Sequence, residues 1–439
     1  MMLSAFDIIR LIVWLFMVPA AASNIFLLLI VALSIVLMLV RPRGIQEVYW
    51  ISGGVLLLLA LRLVSIRLAG HAVAEGLDVY LFLTGMMILS ELAREQGVFS
   101  WLSSAAIGHA RGSPVRLFTL VYALGTLVTV FLSNDATAVV LTPAILAVIR
   151  KAKVSPLPHL FACALIANAA SFVLPISNPA NLVVFRLGMP PLGRWMALFG
   201  VPSILSIAAT YCVMRFVFRK ELAGSMEDHA ELPLRANGKL VIAGLAFTVV
   251  MLLVASAMNR DLGLPTCAAA LVITALISVK TRTNPLIFAK EISWATIALV
   301  AGLFVMVDAV ESIGALHFTW EALTWADGLG AMCGALVTGF VVGVANNLMN
   351  NLPLGLIAAE TLKAVHGTQL TTSAVLIGVD LGPNLSVSGS LATILWLIAL
   401  RREKLHVSYW TFLRVGAIAM PVALFAALCG AVVMQWTVN

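Results

Sequence analysis

Long apolar segments separated by short polar stretches recur along the whole chain. Runs of about 17 to 25 apolar residues are long enough to cross a bilayer as helices. Clear examples cover residues 24–40, 239–258, 264–280 and 408–436. These runs are longer than the alternating strands of a membrane β-barrel. The pattern therefore predicts an all-α polytopic membrane protein with about 11–12 helical elements.

The composition supports this class. Of the 439 residues, 62% are hydrophobic and 11% are charged, whereas a soluble domain carries about 25% charged residues. The formal net charge of +7 would suggest nucleic acid as the partner of a soluble chain. In a membrane protein, Lys and Arg instead hold the cytoplasmic loops on their side of the bilayer. We therefore expect the lipid bilayer, and no nucleic acid, as a partner.

The cysteines and histidines form no metal motif. No two cysteines lie within three residues of each other, which excludes the spacings of zinc and redox sites. They are Cys163, Cys212, Cys267, Cys333 and Cys429. The seven histidines lie towards helix ends and loops, with no ligand spacing. The sequence predicts no metal, no cofactor and no enzymatic activity.

The N-terminal stretch predicts an extra helix over residues 1–22. A cleaved signal peptide is the alternative, because the apolar run ends in small residues. The positively charged N-terminal region of a signal peptide is weak here, because Asp7 offsets the charge of Arg10.

Two halves of the chain repeat the same landmarks. Glu91 in "FLTGMMILSELAREQGVF" aligns with Asp308 in "LVAGLFVMVDAVESIGAL" at an offset of 217 residues. Asn134 aligns with Asn350 at an offset of 216, and "LPISNPANLVVF" lies over "LSVSGSLATILW" with Ser177 against Ser388. Matches in the same order predict a duplication. The repeats would span 23–218 and 240–439, joined by a cytoplasmic linker over 219–239.

Basic residues orient the two repeats. The segment 310–330 has no Lys or Arg, whereas its first-half equivalent carries Arg94, Arg111 and Arg116. Since cytoplasmic loops are enriched in Lys and Arg, the two equivalent segments face opposite sides. The halves are therefore predicted to form an inverted-topology repeat, an arrangement common in secondary transporters.

Each half contains a predicted re-entrant helical hairpin. The first covers 115–152 with Ser133, Asn134 and Asp135 at its tip, and the second covers 330–365 with Asn350 and Asn351 at its tip. Irregular backbone at membrane depth is tolerated only where it lines a cavity. We expect these side chains to face a substrate; the alternative is that they only cap the two half-helices.

Each hairpin is followed by a predicted broken transmembrane helix, over 157–188 and 370–401. Clusters of Pro, Gly, Ser and Asn interrupt both segments, and paired breaks indicate a transporter binding site. The predicted substrate-binding residues at tips and breaks are Ser133, Asn134, Ser177, Asn178, Asn181, Asn350, Asn351, Asn384, Ser386, Ser388, Gly389 and Ser390. Asp135 is predicted as a proton carrier. Asp380 is either a second carrier or a structural acceptor from backbone N–H groups at the break.

The predicted site is rich in amides and hydroxyls and has no Lys or Arg. A di- or tricarboxylate would need a cation or a bound sodium ion. Hydroxyls and amides both donate and accept hydrogen bonds, so they suit a small neutral polyhydroxy solute.

The motifs "LSNDATAVVLTPAIL", "ISNPANLV", "MNNLPLGLI" and "GVDLGPNLSVSGSLATILW" resemble the bacterial arsenite permeases of the ion-transporter superfamily. The resemblance runs from about residue 24 to the C-terminus. It implies export of arsenite and antimonite across the inner membrane by exchange with protons and alternating access. It also implies a transporter that works alone or with a soluble ATPase subunit. One departure is Asn168, where arsenite permeases often carry Asp.

Two other functions of the same architecture stay open. "SNPAN" is also similar to silicate and sodium/proton transporters of the superfamily, so a sodium/proton antiporter or a silicate or anion transporter is the alternative. Glu91 and Asp308 lie outside the four motifs. We expect them to support the hairpins by packing or hydrogen bonds, or else to belong to a proton path.

Overall fold

The structure is a computed structural model that describes residues 20–186, 188–224, 226, 234, 236–282, 284 and 292–438. The predicted N-terminal helix lies outside the described residues up to position 19, and the linker over 219–239 is described in part. The described chain is helical and contains no β-strand. Eight of its helices are long and apolar enough to cross a membrane, or nine when a bent pair is counted as one span. The all-α polytopic fold is therefore confirmed.

The helices follow one another through short connections. Those before the central linker are α1 (Ala20–Val40), α2 (Glu47–Ala60), α3 (Ile66–Glu75), α4 (Leu77–Glu95), α5 (Val98–Ala110), α6 (Pro114–Phe131), α7 (Thr142–Ala152), α8 (Pro156–Ala169), α9 (Pro179–Val184) and α10 (Leu192–Val217). Those after it are α11 (Ala236–Ala257), α12 (Gly263–Thr281), α13 (Trp294–Ser312), α14 (His317–Asp327), α15 (Ala331–Met349), α16 (Asn351–Ala364), α17 (Gln369–Leu381), α18 (Leu391–Arg402) and α19 (Tyr409–Val438).

The chain divides into two compact units. One comprises residues up to 77 together with 294–318, and the other comprises 78–293 and 319–439. Within the smaller unit, α13 packs on α2 and α3. The larger unit holds both predicted hairpins and both predicted broken helices. The repeat limits at 23–218 and 240–439 stay a prediction.

Two equivalent glycines allow close helix contacts, one in each unit. A Cβ on Gly85 would lie 2.7 Å from the backbone of Thr266, and a Cβ on Gly302 would lie 2.6 Å from a methyl group of Ile51. Any side chain would force these close-packed helices apart. The two glycines are 217 residues apart, so the repeat extends to packing.

Both hairpin tips turn on a residue with positive φ. Helix α6 ends before Ser133 (φ 132°), and a π-helical segment, Ala136–Leu141, then leads into α7. Helix α15 ends at Asn350 (φ 78°), and α16 begins immediately after it, with Pro353 in its first turn. Positive φ is uncommon outside glycine, so it identifies the equivalent tip residues. Ser133 and Asn350 are 217 apart, which corrects the offset of 216 predicted for the tips.

The two broken helices are also observed. Helix α8 ends at Ala169, a 3₁₀ turn covers Pro175–Ser177, and α9 begins after Asn178. Helix α17 ends at Leu381, 3₁₀ turns cover Gly382–Asn384 and Val387–Gly389, and α18 begins after Ser390. Asn178 and Ser390 share an extended backbone and the same capping role, so the breaks align at an offset of 212 rather than the predicted 211.

Each outgoing hairpin helix packs along the far part of the other half's broken helix. Helix α16 packs on α9, and α7 with its π-helical segment packs on α18. Within the first half, α7 leads to α8 through a three-residue connection, so that the hairpin returns to the side where the broken helix starts. The far part, α9, leads away from that side, and α16 packs parallel to it. The two hairpins therefore enter from opposite sides, as an inverted repeat requires.

Candidate functional site

A capping side chain begins each of the four segments that lead away from the tips and breaks. The acceptor oxygens are Ser133 Oγ for Ala136 N (3.4 Å), Asn178 Oδ1 for Ala180 N (3.0 Å), Asn350 Oδ1 for Leu352 N (3.4 Å) and Ser390 Oγ for Ala392 N (3.1 Å). Capping satisfies N–H groups that a helix N-terminus leaves unbonded. It also places the positive ends of these helix dipoles at the junction, the region where the tips and breaks (133–135, 168–181, 346–351 and 380–390) meet.

At the first tip, the cap comes from one of the three predicted residues. Ser133 rather than Asn134 or Asp135 supplies the cap, because the positive φ at Ser133 turns the chain there. Asp135 has helical backbone angles, makes no capping bond and is half-buried. The alternative that Asn134 and Asp135 serve only as caps is therefore wrong for this hairpin. In the second hairpin Asn350 does cap α16, and Asn351 is buried beside it.

Two side-chain hydrogen bonds join the breaks of the two halves. Asn178 Nδ2 donates to Asp380 Oδ1 at 2.7 Å, and Asn168 Nδ2 donates to Asn384 Oδ1 at 3.0 Å. Asn384 also donates to the carbonyl of Leu165 at 3.1 Å. All four side chains are buried to 98% or more. The breaks of the two halves are therefore joined by individual hydrogen bonds.

Asp380 is held differently from the prediction. Its hydrogen bond comes from the amide of Asn178 in the other half, whereas we expected backbone N–H groups at its own break. Backbone N–H groups do not bond to Asp380 because it lies in the last turn of α17. The neighbouring N–H groups there already bond within the helix. Its second oxygen, Oδ2, is buried and has no hydrogen-bond partner in the described part of the chain.

Asn347 organises the second break, although the sequence analysis did not select it. Its Oδ1 accepts from both the backbone N–H (3.1 Å) and the hydroxyl (2.7 Å) of Ser386, and its Nδ2 donates to the carbonyl of Gly382 at 3.0 Å. Ser388 donates to the backbone carbonyl of Asn347 at 3.0 Å. A Cβ on Gly389 would lie 2.8 Å from Asn347 Oδ1. Ser386, Ser388 and Gly389 therefore fix the break against the incoming hairpin helix.

Two predicted binding residues hold the first break in shape. Asn181 Nδ2 lies within bonding distance of the carbonyls of Ser171 (2.8 Å), Leu174 (3.2 Å) and Pro175 (3.3 Å). Ser177 donates to the carbonyl of Val130 at 3.1 Å and accepts from Leu174 N at 3.1 Å. These bonds satisfy the backbone that the break exposes.

Five buried amide and carboxylate oxygens around the junction have no hydrogen-bond partner among the described residues. They are Asn134 Oδ1, Asn168 Oδ1, Asn181 Oδ1, Asn346 Oδ1 and Asp380 Oδ2. Buried polar atoms are normally bonded, so unbonded ones need an explanation. All five are acceptors, and no Lys or Arg lies within 133–135, 168–181, 346–351 or 380–390. The junction is therefore suited to a ligand that donates hydrogen bonds or carries positive charge.

Asn346 and Asn347 carried a sequence feature that could have identified them. Both lie one helical turn before the tip, in "VANNLMNN", on an otherwise apolar helix. Asn346 Nδ2 donates to the carbonyl of Val379 at 2.5 Å, which ties the incoming helix to α17.

The role expected of Glu91 and Asp308 stays a prediction. Glu91 pairs with Arg94 on its own helix, with Nε of Arg94 2.7 Å from Oε2. Asp308 belongs to the smaller unit, where its carboxylate lies within 4.8 Å of ligand atoms of His71 and Glu75.

Comparisons with known proteins agree with this layout. The family described as "Citrate transporter" (CitMHS) matches residues 11–379. The chain is 27% identical over 416 residues to an arsenical pump membrane protein of Escherichia coli, covering 90% of this chain and 95% of that protein. It is 26% identical over 417 residues to that of Yersinia enterocolitica, covering 91% and 96%. The resemblance to the arsenite permeases is thereby confirmed.

A solved structure shows a similar fold. The YdaH transporter of Alcanivorax borkumensis superposes with a TM-score of 0.54 at 15% sequence identity, covering 84% of this chain and 87% of that chain. The apolar helices and the bacterial arsenical pump membrane proteins that the chain matches describe a multi-pass bacterial membrane protein.

Proposed function

We propose that this chain, which belongs to the CitMHS citrate transporter family, exports arsenite and antimonite as uncharged trihydroxy species in exchange for protons. The family and the matched relatives already identify the chain as a membrane transporter of small molecules. The arsenical pump proteins that it matches over about nine-tenths of its length favour this substrate.

The observation that carries the proposal is the set of five buried, unbonded acceptor oxygens. Trihydroxyarsenic carries three O–H donors and no charge, so it can satisfy acceptors without the desolvation of an ion. The acceptors come from both halves: Asn134, Asn168 and Asn181 from the first, and Asn346 and Asp380 from the second. A site shared between halves suits alternating access, because a small change between them opens it to one side or the other.

The same lining disfavours citrate, despite the name of the family. A tricarboxylate needs positive partners, and the junction offers acceptor oxygens with no Lys or Arg in the tips and breaks. The dipole ends of the four capped segments contribute positive potential there, and the capping side chains already bond to part of their N–H groups.

A sodium/proton antiporter is the second candidate, because acceptor oxygens also coordinate sodium ions. Asp380 with its unbonded Oδ2 would supply the negative charge and the neighbouring amides the neutral ligands. Sodium/proton exchange needs no hydroxyl-bearing substrate, so an experiment can distinguish it from arsenite exchange.

Protons would be carried by carboxylates at the junction. Asp135 is the leading candidate, since its side chain takes no part in capping. Asp380 is the second, with one oxygen fixed by Asn178 and one unbonded. Arsenite export would then consume the inward proton gradient. The carboxylate would take up a proton on the outer side and release it on the inner side.

Everted membrane vesicles from a host without its own arsenite pumps test the proposal. Acidifying the vesicle interior should drive arsenite uptake in the absence of ATP, and a protonophore should abolish it. Uptake of citrate under the same gradient would favour an anion transporter. Sodium-dependent collapse of the pH gradient without arsenite uptake would favour the antiporter. Uptake that requires ATP and an added soluble subunit would show that the chain does not work alone.

A further inference from the structure

A buried ion pair joins the two halves away from the junction. Arg186 follows α9 of the first half, and Glu360 lies on α16 of the second half. The Nη2 of Arg186 contacts the Oε1 of Glu360, with side chains 8% and 2% exposed. Lys363 Nζ lies 3.6 Å from the other oxygen of Glu360. Burying charges is costly unless they are paired, so this pair needs a reason beyond solubility.

The pair fixes the register of two parallel helices. Helix α9 starts after the cap Asn178, and α16 starts after the cap Asn350. Five residues beyond each cap, a Cβ on Gly355 would lie 3.3 Å from Val183. The ion pair follows, eight residues beyond one cap and ten beyond the other. At 1.5 Å of rise per residue the pair lies about 12–15 Å from the caps.

Glycine at the closest contact makes this register easy to change. Gly355 presents no side chain that could interlock with Val183 and Val184, which lie on the facing helix. Sliding of α16 along α9 would therefore meet little steric resistance at that point. The ion pair is the charged contact that resists such sliding.

A second ion pair joins the equivalent elements of the other helix pair. Arg150, near the end of α7, bonds to Glu403, just after α18, with Nη1 2.7 Å from Oε2. Arg150 Nη2 also donates to the backbone carbonyl of Glu403 at 2.5 Å. These side chains are 48% and 43% exposed, and exposed pairs stabilise little. The two pairs join equivalent elements, but the second lies farther from the caps and is more exposed.

We infer that Arg186 and Glu360 are positioning residues for substrate binding, an inference that rests on the proposed function. By fixing α9 against α16, they hold Asn178 and Asn350 at one separation across the junction. Asn178 also holds Asp380, so a shift of α9 reaches the central carboxylate. Neither Arg186 nor Glu360 contacts the substrate.

The test compares two doubly neutral variants. Arg186→Gln with Glu360→Gln removes the buried charges together, so that no unpaired charge is left inside the protein. The variant should raise the KM for arsenite about tenfold in the vesicle assay and leave the maximal rate within about twofold. Arg150→Gln with Glu403→Gln is the matched control and should leave both constants near their original values.

A second measurement does not depend on arsenite. Hydrogen exchange of the purified protein should become faster in peptides covering 179–186 and 351–364 of the first variant, with little change over 391–402. Glu360→Asp serves as a milder variant, since it keeps both charges and shortens the link by one methylene. It should raise the KM about threefold.

The outcomes separate the possible roles. Faster exchange with an unchanged KM would make the pair merely structural and overturn the inference, as would an unchanged KM in Glu360→Asp. A raised KM without faster exchange would overturn the register mechanism. Failure of the original protein to transport arsenite would refute the proposed function instead, while the exchange measurement would still decide whether the pair fixes the register.

Discussion

Asn178 donates a 2.7 Å hydrogen bond to Asp380, so that the break of one half holds the carboxylate of the other. The two residues are 202 positions apart in the chain, and each belongs to a helix interrupted in mid-membrane. A single bond therefore couples the geometry of both breaks. Any movement that separates the halves at this point changes the surroundings of Asp380.

Substitution of Asp380 should separate its structural role from its charge. Asp380→Asn keeps an oxygen that accepts from Asn178, whereas Asp380→Ala leaves that buried donor without a partner, at a cost of about 1–3 kcal/mol. We expect Asp380→Ala to melt at a lower temperature than Asp380→Asn, measured by thermal denaturation in detergent. Equal melting temperatures would mean that the bond contributes nothing to stability.

Asp135→Asn should abolish arsenite uptake driven by a pH gradient. The side chain is half-buried and makes no capping bond, so the substitution should not disturb the fold. Uptake in everted vesicles gives the rate, and size-exclusion chromatography checks folding. Undiminished uptake by a well-expressed variant would exclude Asp135 as the proton carrier.

Removing an unbonded amide should weaken arsenite binding without harming stability. Asn134→Ala deletes an acceptor that no described residue uses, and loss of one buried hydrogen-bond partner costs about 1–3 kcal/mol, roughly five- to a hundred-fold in affinity. Titration of the purified protein with arsenite measures the change. Affinity equal to that of the original protein would place Asn134 outside the binding site.

Asn181→Ala should lower stability as well as arsenite binding. Its amide nitrogen lies near three backbone carbonyls of the first break, so the variant leaves buried acceptors unbonded and should be less stable by more than about 1 kcal/mol. Denaturation in detergent, compared with Asn134→Ala, gives the difference. A stable Asn181→Ala protein would show that these backbone contacts contribute little to the break.

A variant without cysteines should still transport arsenite at close to the original rate. None of the five cysteines lies in the tips or breaks, and Cys163 is the buried one, so it is best replaced by Ala. The measurement is arsenite uptake by the quintuple variant at equal protein levels. Loss of uptake by a folded protein would place a thiol on the pathway.

The sequence was sufficient to predict the helices, hairpins and breaks because each depends on local composition. Apolar length defines the spans, and clusters of Pro, Gly, Ser and Asn define the interruptions. The tip offset was wrong by one residue because the deciding feature is the positive φ of Ser133 and Asn350. Neither is a glycine, so composition does not reveal which residue turns the chain.

The contacts between distant residues were not predictable from local pattern. Arg186 and Glu360 are 174 residues apart, and nothing in their flanking sequences indicates that they meet. Asn347 was missed for a related reason: its role depends on Ser386, 39 residues later. Pairing of the breaks was predictable from the repeat, but the donors and acceptors within that pair required the structure.

The two hairpins have unequal outgoing arms. From the tip residue to the end of the outgoing helix, the first spans 133–152 and the second spans 350–364, which makes the first arm longer by five residues. Five residues of helix correspond to about 7 Å. A solute leaving the centre would thus travel past a long arm on one face of the membrane and a short arm on the other. The two exits of an otherwise symmetric duplication are of different depth, and the energy profile for entry and release need not be the same on the two sides.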